Sequence, residues 1–146
     1  MSFFDAIDIA ASGLTAERTR MDVTAENLAN AQTTNGPGGQ PYRRQEVVLQ
    51  AVGSSPFQAT LAGAMGASPA PGGVQVAGIV SDPTPDQLVY DPGNPAANAQ
   101  GYVRMPNVNP VTEMTDLIDE SDSYEADVTA METAKTMFTK TLDLLK

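Results

Sequence analysis

Over the first 34 residues, Ile7, Leu14, Met21 and Leu28 recur every seven positions, with Phe4, Ala11 and Ala25 beside them on the same helical face. This narrow apolar stripe predicts an amphipathic helix. Ser2, with Asp5 three residues later, has the spacing of a capping box, and the run from Asn27 to Pro37 collects Asn, Thr, Gly and Pro, which predicts that the helix stops near Ala31. At the other end Leu117, Tyr124, Met131, Phe138 and Leu145 are again seven apart, with Met114, Val128 and Leu142 as a companion row interrupted at Ser121 and Lys135. Such spacing predicts a second helix carrying a coiled-coil seam. Neither stripe is buried by its own helix.

Between these segments the period changes to two. Alternation predicts short strands at Tyr42–Val52, Val74–Val80, Leu88–Tyr90 and Tyr102–Met105, separated by turns such as Asp91-Pro92-Gly93-Asn94-Pro95. All 11 prolines, and every glycine except Gly13, lie between Gly36 and Pro110. The pattern therefore reads as α+β: an N-terminal helical segment 1–34, a Pro/Gly-rich β middle 35–110 and a C-terminal helical segment 111–146, the two helices packing as a coiled-coil-like pair. Residues 53–73 have no apolar period and much Gly, Ala, Ser and Pro, the composition of a mobile loop. At 146 residues the chain supports one domain, or a small domain carried on longer helices.

Charge changes the picture more than size does. Eighteen acids against eight Lys and Arg give a net charge of −10, and the C-terminal segment alone holds nine acids and three lysines. A chain without a basic footprint is not expected to bind nucleic acid. Repulsion along thin stripes also predicts weak helicity until partners cover them. With no His and no Cys, the usual zinc ligands, thiolate nucleophiles and His-based triads are absent. Asp116, Asp119, Glu120 and Asp122 form no metal-binding loop and read as a solvated helix face. Gly36-Pro37-Gly38-Gly39 lacks the Lys and Ser/Thr of a phosphate loop. No catalytic residue, metal, cofactor or small-molecule substrate is expected. The N-terminus shows no Sec-type leader, and no run reaches the ~20 apolar residues of a membrane span.

Three blocks carry a family resemblance. The first joins Ala11-Ser12-Gly13-Leu14-Thr15-Ala16-Glu17-Arg18 to the stretch from Met21 to Thr34, and within it Ser12, Gly13, Leu14, Asn27, Ala29, Asn30 and Thr33 stand out. It resembles the N-terminal signature of bacterial flagellar rod, hook and hook-associated proteins. Leu88-Val89-Tyr90-Asp91-Pro92-Gly93-Asn94-Pro95 with Gly101–Asn109, and Glu113–Ile118 with Ser121–Val128 and Lys135–Leu142, are similar to the middle and C-terminal blocks of the proximal-rod family. The chain departs from that pattern at Asp122 and Asp127, where the family usually has Arg and Asn.

The resemblance implies a structural subunit of the basal-body rod, located in the periplasmic rod after passage through the flagellar type III export apparatus. The implied partners are copies of itself, other rod subunits and ring or export-gate adaptor proteins, and the implied assembly is a helical tube that transmits torque. Helix–helix contacts would then run through Ile7, Leu14, Met21, Leu28, Met114, Leu117, Tyr124, Val128, Met131, Phe138, Leu142 and Leu145. Two alternatives remain at this point: another flagellar axial protein of rod or hook type, and a cytosolic helical adaptor or export chaperone.

Overall fold

The computed structural model describes residues 3–36, 38–52, 60, 63–64 and 72–144. Helix α1 spans Phe3–Ala29 and helix α2 spans Pro110–Asp143. Between them lie β1 (Gln45–Ala51), β2 (Val74–Ser81), β3 (Gln87–Tyr90) and β4 (Tyr102–Met105). The α+β class read from the periods is the class observed. Ser2, Leu145 and most of the 53–73 stretch lie outside the described residues.

Local chemistry sets the ends of the elements. Beyond Ala29, the Asn30 N–H still bonds to the Glu26 carbonyl, while the Thr33 N–H turns back to the Asn30 carbonyl at 2.9 Å and the Thr33 hydroxyl reaches Asn30 Oδ1. The Thr33 carbonyl then accepts the Tyr42 N–H at 3.0 Å, so the chain leaves the helix in a fixed direction. Helix α2 begins with Asn109 as its cap. The Asn109 side chain accepts the Val111 N–H, its carbonyl accepts the Glu113 N–H, and Pro110 fills the first helical position, where no N–H is needed.

Strands β1 and β2 form one two-stranded sheet and β3 and β4 another. The β3–β4 ribbon is antiparallel, with Leu88 opposite Arg104 and Tyr90 opposite Tyr102. Its connection closes at Gly101, whose φ of 82° suits glycine and whose Cβ, if present, would lie 2.9 Å from the Tyr90 ring.

The chain divides into two compact units. One comprises Met1–Thr19, Val48–Ala77 and Ser121–Lys146, the other Arg20–Val47 and Gly78–Glu120. The second has a core in which Val23, Val103, Pro106 and Val108 are buried beside Thr24, Asn27, Glu113 and Glu120. In the first, Ala16 is the one fully buried residue among the described residues. Among the described residues its larger apolar side chains stay partly exposed.

Candidate functional site

In the second unit the site is built on Asn27, in the last turn of α1 and 1% exposed. A buried carboxamide needs four partners, and Asn27 has four. Its Nδ2 donates to the Gln45 carbonyl at 2.8 Å and to Glu113 Oε2 at 3.0 Å, while its Oδ1 accepts the Gln45 N–H at 2.9 Å and the Tyr42 hydroxyl at 3.0 Å. One side chain thereby joins α1, the start of β1 and α2.

Glu113, also 1% exposed, is a carboxylate in the core and survives there because it is paired. Arg44 Nε donates to Glu113 Oε1 at 2.5 Å, and its other guanidinium nitrogens approach Glu46 and Asp116. Arg44 is fixed in turn by its backbone, since its N–H bonds to Asn107 Oδ1 and its carbonyl accepts the Asp82 N–H. Burial alone would lower the Arg44 pKa, but the hydrogen bond that its guanidinium donates to Glu113 and the charges of Glu113 and Glu46 raise it. Tyr42 is pushed up to about 12, first by burial and then by the negative charges of Glu26 and Glu113. Its hydroxyl therefore stays protonated and available as the donor to Asn27.

One turn toward the start of α1, Glu120 Oε1 accepts the Thr24 hydroxyl at 3.1 Å and lies 3.5 Å from Arg20 Nη2. Asn27 opposite Glu113 and Thr24 opposite Glu120 show that α1 and α2 run antiparallel in this unit. The solvated-face reading is corrected here for Glu120, which is 4% exposed, because Thr24 and Arg20 offer it polar partners in a contact where apolar side chains are the usual occupants.

In the first unit the site is the pair Ser12-Gly13. The Ser12 hydroxyl donates to the Ile9 carbonyl at 2.7 Å and accepts the Val74 N–H at 3.0 Å, tying the start of β2 to the helix. The approach is too close for a side chain at Gly73: a Cβ there would sit 2.2 Å from Ser12 Oγ. A Cβ at Gly13 would sit 2.6 Å from Asp127 Oδ2, so the missing side chain lets α2 come close at Asp127.

Asn30 and Thr33 form the helix exit, Leu14 is half-buried and Ala29 is exposed. Of the seam positions, Ile7, Met21, Leu28, Leu117, Tyr124, Val128, Met131 and Phe138 are half-buried, while Met114 and Leu142 are exposed and Leu145 lies outside the described residues. Asp122 is exposed.

Sequence reasoning did not find Tyr42, Arg44 or the inward Glu113. A signal was present, since Glu113, Glu120 and Asp127 are themselves seven apart. A search for apolar heptads passes over an acidic one. Among the described residues no group of three or more His, Cys, Asp or Glu could hold a metal ion, and no helix is long and apolar enough to cross a membrane.

Comparison with known proteins names the class. Residues 7–37 match the family model for flagella basal body rod protein, and residues 99–144 match that for the C-terminal part of the flagellar basal body rod FlgEFG proteins. These two matches contain Ser12-Gly13, Asn27, Glu113 and Asp127, and they define a flagellar rod protein.

Full-length relatives narrow this further. The chain is 48% identical to the flagellar basal-body rod protein FlgC of Yersinia enterocolitica, over 99% of this chain and 98% of the relative. It is 47% identical to that of Bacillus subtilis over the whole of both, and 38% identical to that of Borreliella burgdorferi over 100% of this chain and 99% of the relative. The chain belongs to the FlgC family of flagellar basal-body rod proteins. It is a structural protein of the rod, and its place is the basal body.

Proposed function

We propose that the chain is a subunit of the proximal rod, exported through the flagellar type III apparatus and assembled with copies of itself and with other rod subunits into a helical tube that transmits torque. End-to-end identity to FlgC proteins carries this reading. The physical arrangement supports it. Residues 5–19 and 121–143 present half-buried seams with Ala16 as their one fully buried residue, so neighbouring subunits would complete the burial. Identical contacts that do not close produce a helical assembly.

The polar cluster at Asn27 and Glu113 gives the unit a fixed internal geometry, which a load-bearing subunit needs. Its charged groups are paired with one another, so it serves structure, and no enzymatic role is proposed. Ring or export-gate adaptor proteins are the further partners, with no nucleic acid and no small-molecule substrate.

The test is replacement of Phe138, a half-buried seam residue, by Asp. An unpaired carboxylate in a packed seam costs several kcal/mol, so the Phe138→Asp subunit should be made and exported but missing from purified basal bodies, and cells should not swim. Normal swimming would remove this seam from the assembly.

A further inference from the structure

The segment of α2 from Pro110 to Glu120 is inverted. It buries Glu113 and Glu120, yet Val111 is 72% exposed and Ile118 62%, with Met114 also exposed. These three residues at i, i+3 and i+7 form one continuous apolar stripe on the face opposite the buried glutamates, with Asp119 at its flank. Among the described residues, nothing in the same unit covers that face.

A second exposed patch lies on the β3–β4 ribbon. Cross-strand partners share a face, so Leu88 with Arg104 and Tyr90 with Tyr102 form one side, while Val89 with the buried Val103 form the other. The outer side is rich in the residues that anchor interfaces. Tyr90 is 65% exposed and stacks edge-on with Tyr102 at 5.3 Å between ring centroids, Leu88 stands beside them, and Arg104 makes no ion pair among the described residues.

We infer that these two patches are the halves of one contact: the ribbon face Leu88–Tyr90–Tyr102–Arg104 of one copy seats on the stripe Val111–Met114–Ile118 of the next. The inference rests on the reading that the chain assembles with copies of itself. Charge selects this pairing over stripe against stripe. Helix on helix would bring together two copies of residues 110–120, which hold Glu113, Asp116, Asp119 and Glu120 but neither Lys nor Arg, in a chain already carrying −10, whereas the ribbon brings Arg104 to the acidic flank. With one ribbon and one stripe in each contact, the free ribbon and stripe at the two ends let it repeat head-to-tail from subunit to subunit.

Two measurements test it. A photo-reactive amino acid at position 118, activated in purified basal bodies, should link to residues 88–104 of a second copy of this chain. A link to helix α2 of a second copy, a link to a different basal-body protein, or no link although the chain is present would each overturn the pairing. In parallel, Arg104→Glu should reduce swimming about tenfold or more, and adding Asp119→Arg should restore most of it, while the purified variants unfold in urea as the parent does. Normal swimming of the Arg104→Glu strain, or no rescue by Asp119→Arg, would also overturn it. If the unaltered chain were missing from basal bodies, the rod-subunit reading itself would fall, an outcome distinct from a failed pairing.

Discussion

Asn27 and Gln45 bond to each other in both directions. The carboxamide nitrogen donates to the Gln45 carbonyl at 2.8 Å and the carboxamide oxygen accepts the Gln45 N–H at 2.9 Å, so a helix side chain occupies the place of a neighbouring strand at the first residue of β1. The same carboxamide holds Glu113 and Tyr42. Replacing it leaves polar groups without partners in a buried place. Asn27→Ala should lower stability by about 2–4 kcal/mol. Asn27→Asp should cost more, because it loses both donors and sets a second carboxylate beside Glu113. Urea unfolding of the purified subunit measures both, and equal stability of Asn27→Asp and the parent would refute the role given to Asn27.

The Tyr42 hydroxyl donates to Asn27, and its pKa is raised from 10.0 to about 12. Its contribution to stability is therefore fully present below pH 10. Between pH 10 and 12 the unfolded chain releases this proton while the folded chain keeps it, so stability falls as pH rises. In Tyr42→Phe that segment of the pH dependence should flatten, with about 1 kcal/mol lost at neutral pH. Urea midpoints from pH 9 to 12 for the two proteins provide the comparison, and parallel curves would show that Tyr42 titrates normally.

Arg44 neutralises Glu113 inside the unit at 2.5 Å. Arg44→Met leaves that carboxylate buried and unpaired and should cost about 3–5 kcal/mol, much of it recovered when Glu113→Gln is added. Strictly additive losses in the double variant would mean that the two side chains act independently.

Gly73 and Ser12 leave no room for a methyl group. Gly73→Ala should destabilise the subunit by about 1–3 kcal/mol, and in a Ser12→Ala background the same change should cost less, since the hydroxyl it meets is gone. The double-mutant cycle by urea unfolding reports the coupling, with zero coupling contradicting the contact.

Much of this fold was legible. The helices came from Ile7, Leu14, Met21 and Leu28 and from the Leu117–Phe138 row, and the strands from alternation, because both signals are local. The observed Val74–Ser81 and Tyr102–Met105 strands follow the alternation closely, whereas β1 starts at Gln45, three residues later than Tyr42, since Tyr42 and Arg44 turn their side chains to Asn27 and Glu113. The site was half legible. Ser12, Gly13, Asn27, Asn30 and Thr33 stood out by resemblance, but the roles of Ser12, Gly13 and Asn27 depend on distant groups, such as Val74 for Ser12, Gln45 for Asn27 and Asp127 for Gly13, whereas Asn30 and Thr33 act locally. The burial of Glu113 and Glu120 is not legible, because a buried carboxylate is decided by its partner, and no local pattern announces Arg44, Thr24 or Arg20.

The most direct test of a rod subunit completed by its neighbours is amide hydrogen exchange on the chain in two states, purified alone and within isolated basal bodies. Residues 5–19 and 121–143, whose seams are half-buried in the single chain, should exchange at least about a hundredfold more slowly in the basal body, whereas the Asn27–Glu113 unit should change much less. Equal exchange of the seam residues in both states, or absence of the chain from the basal body, would contradict it.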